Sequence, residues 1–360
     1  MHIMKRVLIL NLVPNTLGDS IIMTPMFSII KKNYPSAFIA ATADKLTKEL
    51  WVGNGAINKI IEVEELSTIG DQNAGMLKKA SYYLKMFFGL IFKLRRYKFD
   101  TCFITFPNFF MMPLIPFFAG IKNRIGFTYK GSYFSFLLSK KTESKILFDG
   151  YFERHIVDSF IDLLAISGLK FSKKDIVSNI DISKEEIMQA KKKLGFKGRL
   201  ISIHTLSKQE SKNWPKEKFT LLLPKLAEKY KASIILLGSK KEFEYNEAIR
   251  KNNPKIVNLC GKYSLRDVGA ILKISDLFIG NDSGLGHYAS SVGTKTITLF
   301  GASYPAQAIP IGKGKTIALF RGNKEKIYNF YKKGDINLDI KAMNAITIEE
   351  VLSAVDKLLS

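Results

Sequence analysis

The sequence predicts an α/β protein made of two Rossmann-like halves of similar size. Short apolar runs alternate with amphipathic stretches along most of the chain, the pattern of buried parallel strands and their crossover helices. The alternation lapses over residues 170–182 and then begins again, which marks a connection between two domains. Residues 277–301, LFIGNDSGLGHYASSVGTKTITLFG, read as strand, tight turn, helix and strand in one stretch. With 360 residues and 46% hydrophobic content, the chain can bury two cores of ordinary size.

In chain order, residues 5–11 (KRVLILN) form a buried strand, followed by a loop over 12–17 and then Gly18-Asp19. The N-terminal apolar run is too short for a secretory signal and lacks a small-residue cleavage site. Residues 20–33 read as one amphipathic helix with Ile21, Ile22, Met26, Ile29 and Ile30 on a single face. Strands follow at 37–42 and 57–63, then a helix over 80–96 and a strand over 99–106. Residues 101–121 are uncharged and near the roughly 20-residue length of a membrane span. Pro107, Asn108, Pro113 and Pro116 break that stretch into strand, loop and short helix. Residues 140–179 read as helical and more polar, with clear helical periodicity over 151–167. The second half runs helix 185–194, strand 199–204, helix 216–230, strand 233–238, helix 241–252, strand 256–259 and helix 264–274, up to the 277–301 stretch. An amphipathic helix over 347–359 ends the chain, with nothing to say which half it packs on.

The balance of 55 Lys+Arg against 32 Asp+Glu implies attraction to phosphate, whether in nucleic acid, an anionic membrane or a nucleotide. Between residues 78 and 141 there are twelve Lys/Arg against the single acid Asp100, with Phe and Tyr interleaved. That surface suits an anionic leaflet. Any single one of these residues reads more simply as part of a solvated face over an aromatic core, whereas the cluster favours peripheral membrane association. A reading helix or RNA-binding motif is missing, so charge alone suggests nucleic acid and no specific nucleic-acid partner is expected. Cys102 and Cys260 stand in unrelated contexts and offer neither a disulfide framework nor a thiolate metal site.

Residues suited to chemistry cluster after the strands, where open α/β sheets bind ligands. In the turn 281–287 the helix N-terminus can hold an anion. Ser283 adds a hydroxyl, His287 lies in the first helical turn, and Gly284 and Gly286 permit close approach to the backbone. The same Asp-Ser-Gly is also an ordinary helix cap, with Asp282 or Ser283 as the capping residue. Asp19 can serve as a general base or as an N-cap. Residues 204–215, HTLSKQESKNWP, supply Ser207, Lys208, Ser211 and Lys212 as donors for a diphosphate, or form a solvated basic loop. Trp214-Pro215 reads as a packing anchor at a helix start. Glu242, in GSKKE, can accept from ribose hydroxyls or complement a helix dipole. No DxD pair or His/Glu cluster suggests a metal, and the first turn lacks a GxGxxG fingerprint.

Taken together, these pieces resemble glycosyltransferase family 9, the ADP-heptose:lipopolysaccharide heptosyltransferases. The resemblance rests on LGDSIIMTPMFSIIKKNYPSA, GIKNRIG, ISIH…SKNWPKEKF, IILLGSKKE, LCGKYSLRDVGAIL, DLFIGNDSGLGHYASSVGTKTITLFGASYPA and AITIEEVLSAV, in that order. It implies a GT-B fold, two Rossmann-like domains facing across a cleft. Residues 1–175 would bind acceptor, residues 176–346 would bind the nucleotide-sugar donor, and residues 347–360 would form the C-terminal helix. The family's proposed base falls on Asp19, its donor-phosphate lysine on Lys212, its ribose carboxylate on Glu242, and its Asp-Ser/Thr-Gly-x-x-His on Asp282, Ser283, Gly284 and His287. Tyr263 falls near the nucleobase, Ser207 beside the donor, and Lys122 and Arg124 on the acceptor side. The implied activity is inverting, metal-independent transfer of a heptose or related sugar from an ADP-sugar to a lipopolysaccharide core or other phosphorylated glycolipid. No cofactor is implied beyond the nucleotide-sugar, and the implied place is cytoplasmic, peripherally on the inner face of the plasma membrane. The sequence departs from many members in its first loop, NLVPNTLGD, which has no basic residue. Thr205-Leu206 also stands where Pro-Gly is common, and the cysteines common near the family's C-terminus are missing. Other readings are a GT-B transferase with a different nucleotide-sugar and glycan acceptor, or a catalytically silent GT-B protein that binds glycolipid or nucleotide.

Overall fold

The structure is a computed structural model that describes residues 3–12, 17–63, 76–105, 112–128, 132–143, 154–251, 253–333 and 341–360. Most of the first loop, Pro107, Asn108 and Lys130, and the side chains of Lys78 and Lys79, lie outside the described residues. The chain divides into two compact units. One holds Met1–Thr16, Met23–Tyr151 and Ile156–Ile176; the other holds Leu17–Ile22, Phe152–His155 and Val177–Ser360.

The first unit contains strands β1 (Arg6–Leu10), β2 (Phe38–Ala43), β3 (Lys59–Glu62), β4 (Thr101–Ile104), β5 (Asn123–Thr128) and β6 (Lys140–Glu143). With them run α2 (Pro25–Asn33), α3 (Lys45–Trp51), α4 (Met76–Arg95), α5 (Leu114–Phe118) and α6 (Val157–Ile166), while α1 (Leu17–Ile22), which follows β1 in the chain, belongs to the second unit. All six strands pair in parallel, in the order β3-β2-β1-β4-β5-β6. After its leading Arg6, β1 (RVLIL) is apolar and buried because helices cover both faces of such a sheet. Leu8, Cys102 and Ile104 pack there with Leu90 and Leu94 of α4.

The second unit contains α7 (Lys184–Leu194), β7 (Arg199–His204), α8 (Lys216–Lys229), β8 (Ala232–Leu236), α9 (Phe243–Arg250), β9 (Ile256–Asn258), α10 (Leu265–Ile274), β10 (Leu277–Asn281), α11 (Gly284–Val292) and β11 (Lys295–Phe300). It closes with α12 (Pro305–Ala308), β12 (Thr316–Phe320), α13 (Lys324–Lys333), α14 (Lys341–Ala345) and α15 (Ile348–Leu359). Its parallel sheet runs β12-β11-β10-β7-β8-β9. Counted within each unit, both sheets have the Rossmann order 3-2-1-4-5-6. The two Rossmann-like units of a GT-B chain are therefore both present. The C-terminal helix α15 belongs to the second unit, where Val351, Val355 and Leu358 join Trp214, Phe219, Ile279 and Leu299 in the core.

Several elements differ from the sequence reading. The single helix expected over 20–33 is two helices, α1 and α2, because Pro25 has no N–H to continue the first and instead starts the second. Polar residues at 140–143 form the edge strand β6, not helix, through backbone pairing with β5. Helix α3 and strand β5 complete a unit in which the sequence showed fewer elements. Pro113 and Pro116 fall in and before the five-residue α5, and no helix of the described residues is long and apolar enough to cross a membrane.

Candidate active site

The second sheet changes direction between β7 and β10, and the candidate site lies at the carboxyl ends of those two strands. Gly280 pairs in register with His204, the last residue of β7. Beyond β10 the chain turns through Asp282 and Ser283 into α11. Ser283 occupies the cap position in extended conformation, yet its side chain caps no helical N–H. Its Oγ lies 3.0 Å from His204 Nδ1. Asp282 does not cap either. Its Oδ2 accepts from Lys212 Nζ at 2.6 Å and from Ser303 Oγ at 2.6 Å. The helix-cap alternative for these two residues is thus not what the chain does. The leading N–H groups of α11 have no side-chain cap and keep their attraction for an anion.

Asn281 positions the loop that carries Lys212. Fully buried, it donates from Nδ2 to the Thr205 carbonyl (2.7 Å) and accepts at Oδ1 from the Trp214 N–H (3.1 Å). Asn213 Oδ1 accepts from the Ser207 N–H at 2.6 Å, which folds Ser207 and its neighbours into a tight loop. Trp214 is the anchor the sequence suggests, fully buried, edge-on to Phe219 and donating to the Ile346 carbonyl at 3.0 Å. Lys212 is mostly buried, so its pairing with Asp282 is desolvated rather than a surface ion pair.

Glu242 sits on the other side of His204. Its Oε2 is 3.5 Å from His204 Nε2, an ion-pair contact rather than a tight hydrogen bond, and it accepts from the Ser239 N–H at 2.9 Å. Ser239 and Glu242 form a reciprocal capping box, so the helix-terminus role is real. Burial pushes the Glu242 carboxyl up, but the contact with His204 and the Ser239 bonds outweigh it, and the group is held below the usual range. The carboxylate fits only because Gly238 has no side chain, since a Cβ there would lie 2.0 Å from Oε2.

Helix α1 completes the cluster. The Cβ direction of Gly284 is filled by Leu17, whose own Cβ would be 2.7 Å from an added one. That glycine makes room for α1, where the sequence suggested close approach of a ligand. A Cβ on Gly18 would lie 3.4 Å from His287 Cδ2. Leu17 and Gly18 therefore touch Gly284 and His287, and Asp19 follows directly in the first turn of α1. His287 is buried. Desolvation lowers it to about 4, against the pull of Asp282 and with the charges of His155 and Lys212 acting in the same direction as burial. It is a neutral imidazole near pH 7.

The structure thus brings together Lys212, Asp282, Ser283, Gly284, His287 and Glu242, with the α1 turn carrying Asp19 against them. Tyr263 stands before α10 with its ring under Lys193 Nζ at 5.8 Å. Lys122 and Arg124 belong to the first unit. Lys122 is exposed. Arg124 donates to the carbonyls of Leu137 (2.6 Å), Ile121 (2.5 Å) and Lys122 (3.1 Å), a role within its own fold. Sequence reasoning missed His204, Asn281 and Ser303 as site residues. The first two sit at strand ends facing the switch point, which is a usable signal; Ser303 carried none. Both thiols are reduced and buried, and burial with the Glu242 charge pushes Cys260 up to about 12. Among the described residues no three His, Cys, Asp or Glu side chains gather as a metal site would require.

A family model described as glycosyltransferase family 9 (heptosyltransferase) matches residues 88–333. The chain is 26% identical over 346 residues to lipopolysaccharide heptosyltransferase 3 of Escherichia coli K12, covering 95% of each. Among solved structures, E. coli ADP-heptose LPS heptosyltransferase II superposes with a TM-score of 0.75 at 20% identity, covering 99% of this chain and 98% of that one. E. coli heptosyltransferase WaaC with ADP gives a TM-score of 0.71 at 15% identity, covering 98% and 99%.

Proposed function

Because the chain belongs to glycosyltransferase family 9 and is a glycosyltransferase, we propose that it moves a heptose, or a related sugar, from an ADP-sugar to a lipopolysaccharide core or similar phosphorylated glycolipid. The observation that carries this reading is the packing of Leu17 and Gly18 on Gly284 and His287. It supports the reading because Asp19 follows Gly18 in the same helical turn, and the N-terminus of α11 has no side-chain cap bond from Ser283. Asp19 would accept the proton of an acceptor hydroxyl while that oxygen attacks the anomeric carbon. The bond from that carbon to the diphosphate breaks on the opposite face, so the configuration inverts. Lys212, Ser283 and the α11 N–H groups would take up the charge that develops on the leaving diphosphate, without a metal. Adenine is favoured because structurally similar heptosyltransferases carry ADP or are named for ADP-heptose.

A calorimetric panel of ADP, UDP, GDP and CMP at fixed salt tests the donor. Selectivity for ADP that collapses in Lys212→Ala supports the reading. Selectivity for another nucleotide keeps the transferase and discards the ADP-sugar. Failure to bind any of the four moves the weight to a silent glycolipid-binding protein.

The acceptor's setting is part of the proposal. The first unit would lie peripherally on the anionic inner face of the plasma membrane. Along α4, Leu84, Phe88 and Phe92 recur every fourth residue and are half exposed or more, and Phe117 and Phe118 of α5 are exposed too. Lys85, Lys93, Arg95 and Arg96 lie along or just beyond the same helix. Apolar insertion beside basic charge is how a helix holds to such a leaflet. Sedimentation with phosphatidylglycerol vesicles at low salt is expected, and a protein left in the supernatant contradicts it.

A further inference from the structure

Asp282 is a buried carboxylate whose Oδ2 is shared by two donors from different parts of the second unit. Lys212 Nζ reaches it from the loop after β7 at 2.6 Å, and Ser303 Oγ reaches it from the turn after β11 at 2.6 Å. Asp282 and Ser303 are both only 6% exposed, so water is poorly placed to replace either donor. The turn that presents Ser303 is braced from outside the site. Gly301 has no room for a side chain, since a Cβ there would lie 2.6 Å from the Met343 side chain of α14, and a Cβ on Gly322 would lie 2.1 Å from the Gly301 carbonyl oxygen. After Ser303, the Tyr304 ring packs edge-on against Phe320 of β12 with centroids 5.7 Å apart, and Pro305 starts α12. The hydroxyl thus comes from a fixed turn, whereas the ammonium ends a flexible four-carbon stem.

We infer that Ser303 is a positioning residue whose hydroxyl holds the Asp282 carboxylate when Lys212 turns from it to the diphosphate of a nucleotide-sugar. This role rests on the donor reading above, in which Lys212 meets that diphosphate. A buried carboxylate persists only while donors compensate its charge. In the free protein both donors lie on Asp282 Oδ2. A diphosphate oxygen at Lys212 competes for the ammonium and leaves Ser303 with a larger share of the compensation. Removing the hydroxyl therefore penalises the complex more than the free protein. Lys212 is then held back on Asp282, and affinity for the diphosphate falls. Ser303 touches neither the ligand nor the reacting atoms in this scheme; it acts through Asp282 on Lys212.

ADP is the probe, titrated calorimetrically at fixed salt and pH. Ser303→Ala should bind ADP about tenfold more weakly than wild type, and Ser303→Thr, which keeps the hydroxyl, within about twofold of it. The decisive background is Asp282→Asn, which removes the charge and leaves Lys212 in place. That protein should still bind ADP, and in it Ser303→Ala should change the affinity by less than about twofold, a coupling that a merely structural serine does not show. If denaturant melts show Ser303→Ala unfolded, Ser303→Cys, similar in shape with a weaker donor, takes its place, with a smaller loss expected. Equal losses in both backgrounds, a Ser303→Ala protein that binds like wild type, or a threonine variant no better than alanine overturns the role of Ser303 and leaves the donor site standing. Loss of ADP binding in Asp282→Asn alone overturns it too, because the carboxylate is then needed for more than holding the lysine. A wild-type protein that does not bind ADP removes the donor site and this role with it.

Discussion

The two units share one topology and differ in what they place at its turning point. In the first, the ends of β1, β2 and β4 are tied by uncharged groups. The Asn11 N–H donates to Thr42 Oγ1 at 2.8 Å, Thr42 Oγ1 donates to the Asn11 carbonyl at 2.8 Å, and Thr105 Oγ1 donates to the Leu10 carbonyl at 3.2 Å. In the second, the ends of β7 and β10 carry the buried Lys212–Asp282 pair, the His204–Ser283 contact and Glu242. A crevice comes with the strand order. Desolvated charge does not, and it persists only where partners or a ligand compensate it. Among the described residues, the Lys212–Asp282 ion pair lies at the second turning point.

That contrast can be broken or sharpened. Lys212→Ala should reduce turnover by about 10²-fold or more, corresponding to roughly 3 kcal/mol of lost charge stabilisation at the leaving diphosphate. Turnover within a few-fold of wild type would place the phosphate elsewhere. Next comes acid stability. The folded His287 sits near 4 against an ordinary value of 6.5, so the unfolded chain binds more protons between those limits. Stability therefore falls as pH drops from about 6.5 towards 4, by at most roughly 3 kcal/mol. Denaturant melts of wild type and His287→Gln across that range should show a shallower loss in the variant, and identical slopes would contradict a buried neutral ring. Gly284→Ala puts a Cβ 2.7 Å from Leu17 and should destabilise the α1–α11 contact by about 1–3 kcal/mol. Adding Leu17→Gly, which removes the Cβ that the new methyl meets, should recover part of the lost stability in denaturant melts if the glycine serves that contact. Thr42→Val, at the uncharged turning point, should lower stability by about 1 kcal/mol and leave ADP affinity unchanged.

The second unit was the more legible half of the sequence, for a physical reason. Strand 199–204 and the strand, turn and helix from 277 onward stand out because apolar runs meet small and polar residues abruptly at their ends. In the first unit, β6 (KKTE) has no apolar residue to betray it and exists through backbone pairing alone. The break at Pro25 was visible in the sequence, but the strong apolar spacing on both sides of it masked the end of α1. At the site, residue types and turns were readable, whereas partners were not. Nothing local says that Asp282 holds Lys212 seventy residues away, or that Leu17 fills the space Gly284 leaves. Those are tertiary facts, and they assign to pairing and packing what the sequence left open between capping and ligand binding.

The most direct test of the account is ADP-heptose transfer to a lipopolysaccharide-core acceptor by purified Asp19→Asn, with ADP affinity measured on the same sample. Loss of a general base should lower turnover by roughly 10²–10⁴-fold while ADP binding stays within about twofold of wild type. Turnover near that of the wild type, with the donor still bound, would remove Asp19 from the mechanism and with it the reason for α1 to sit against α11.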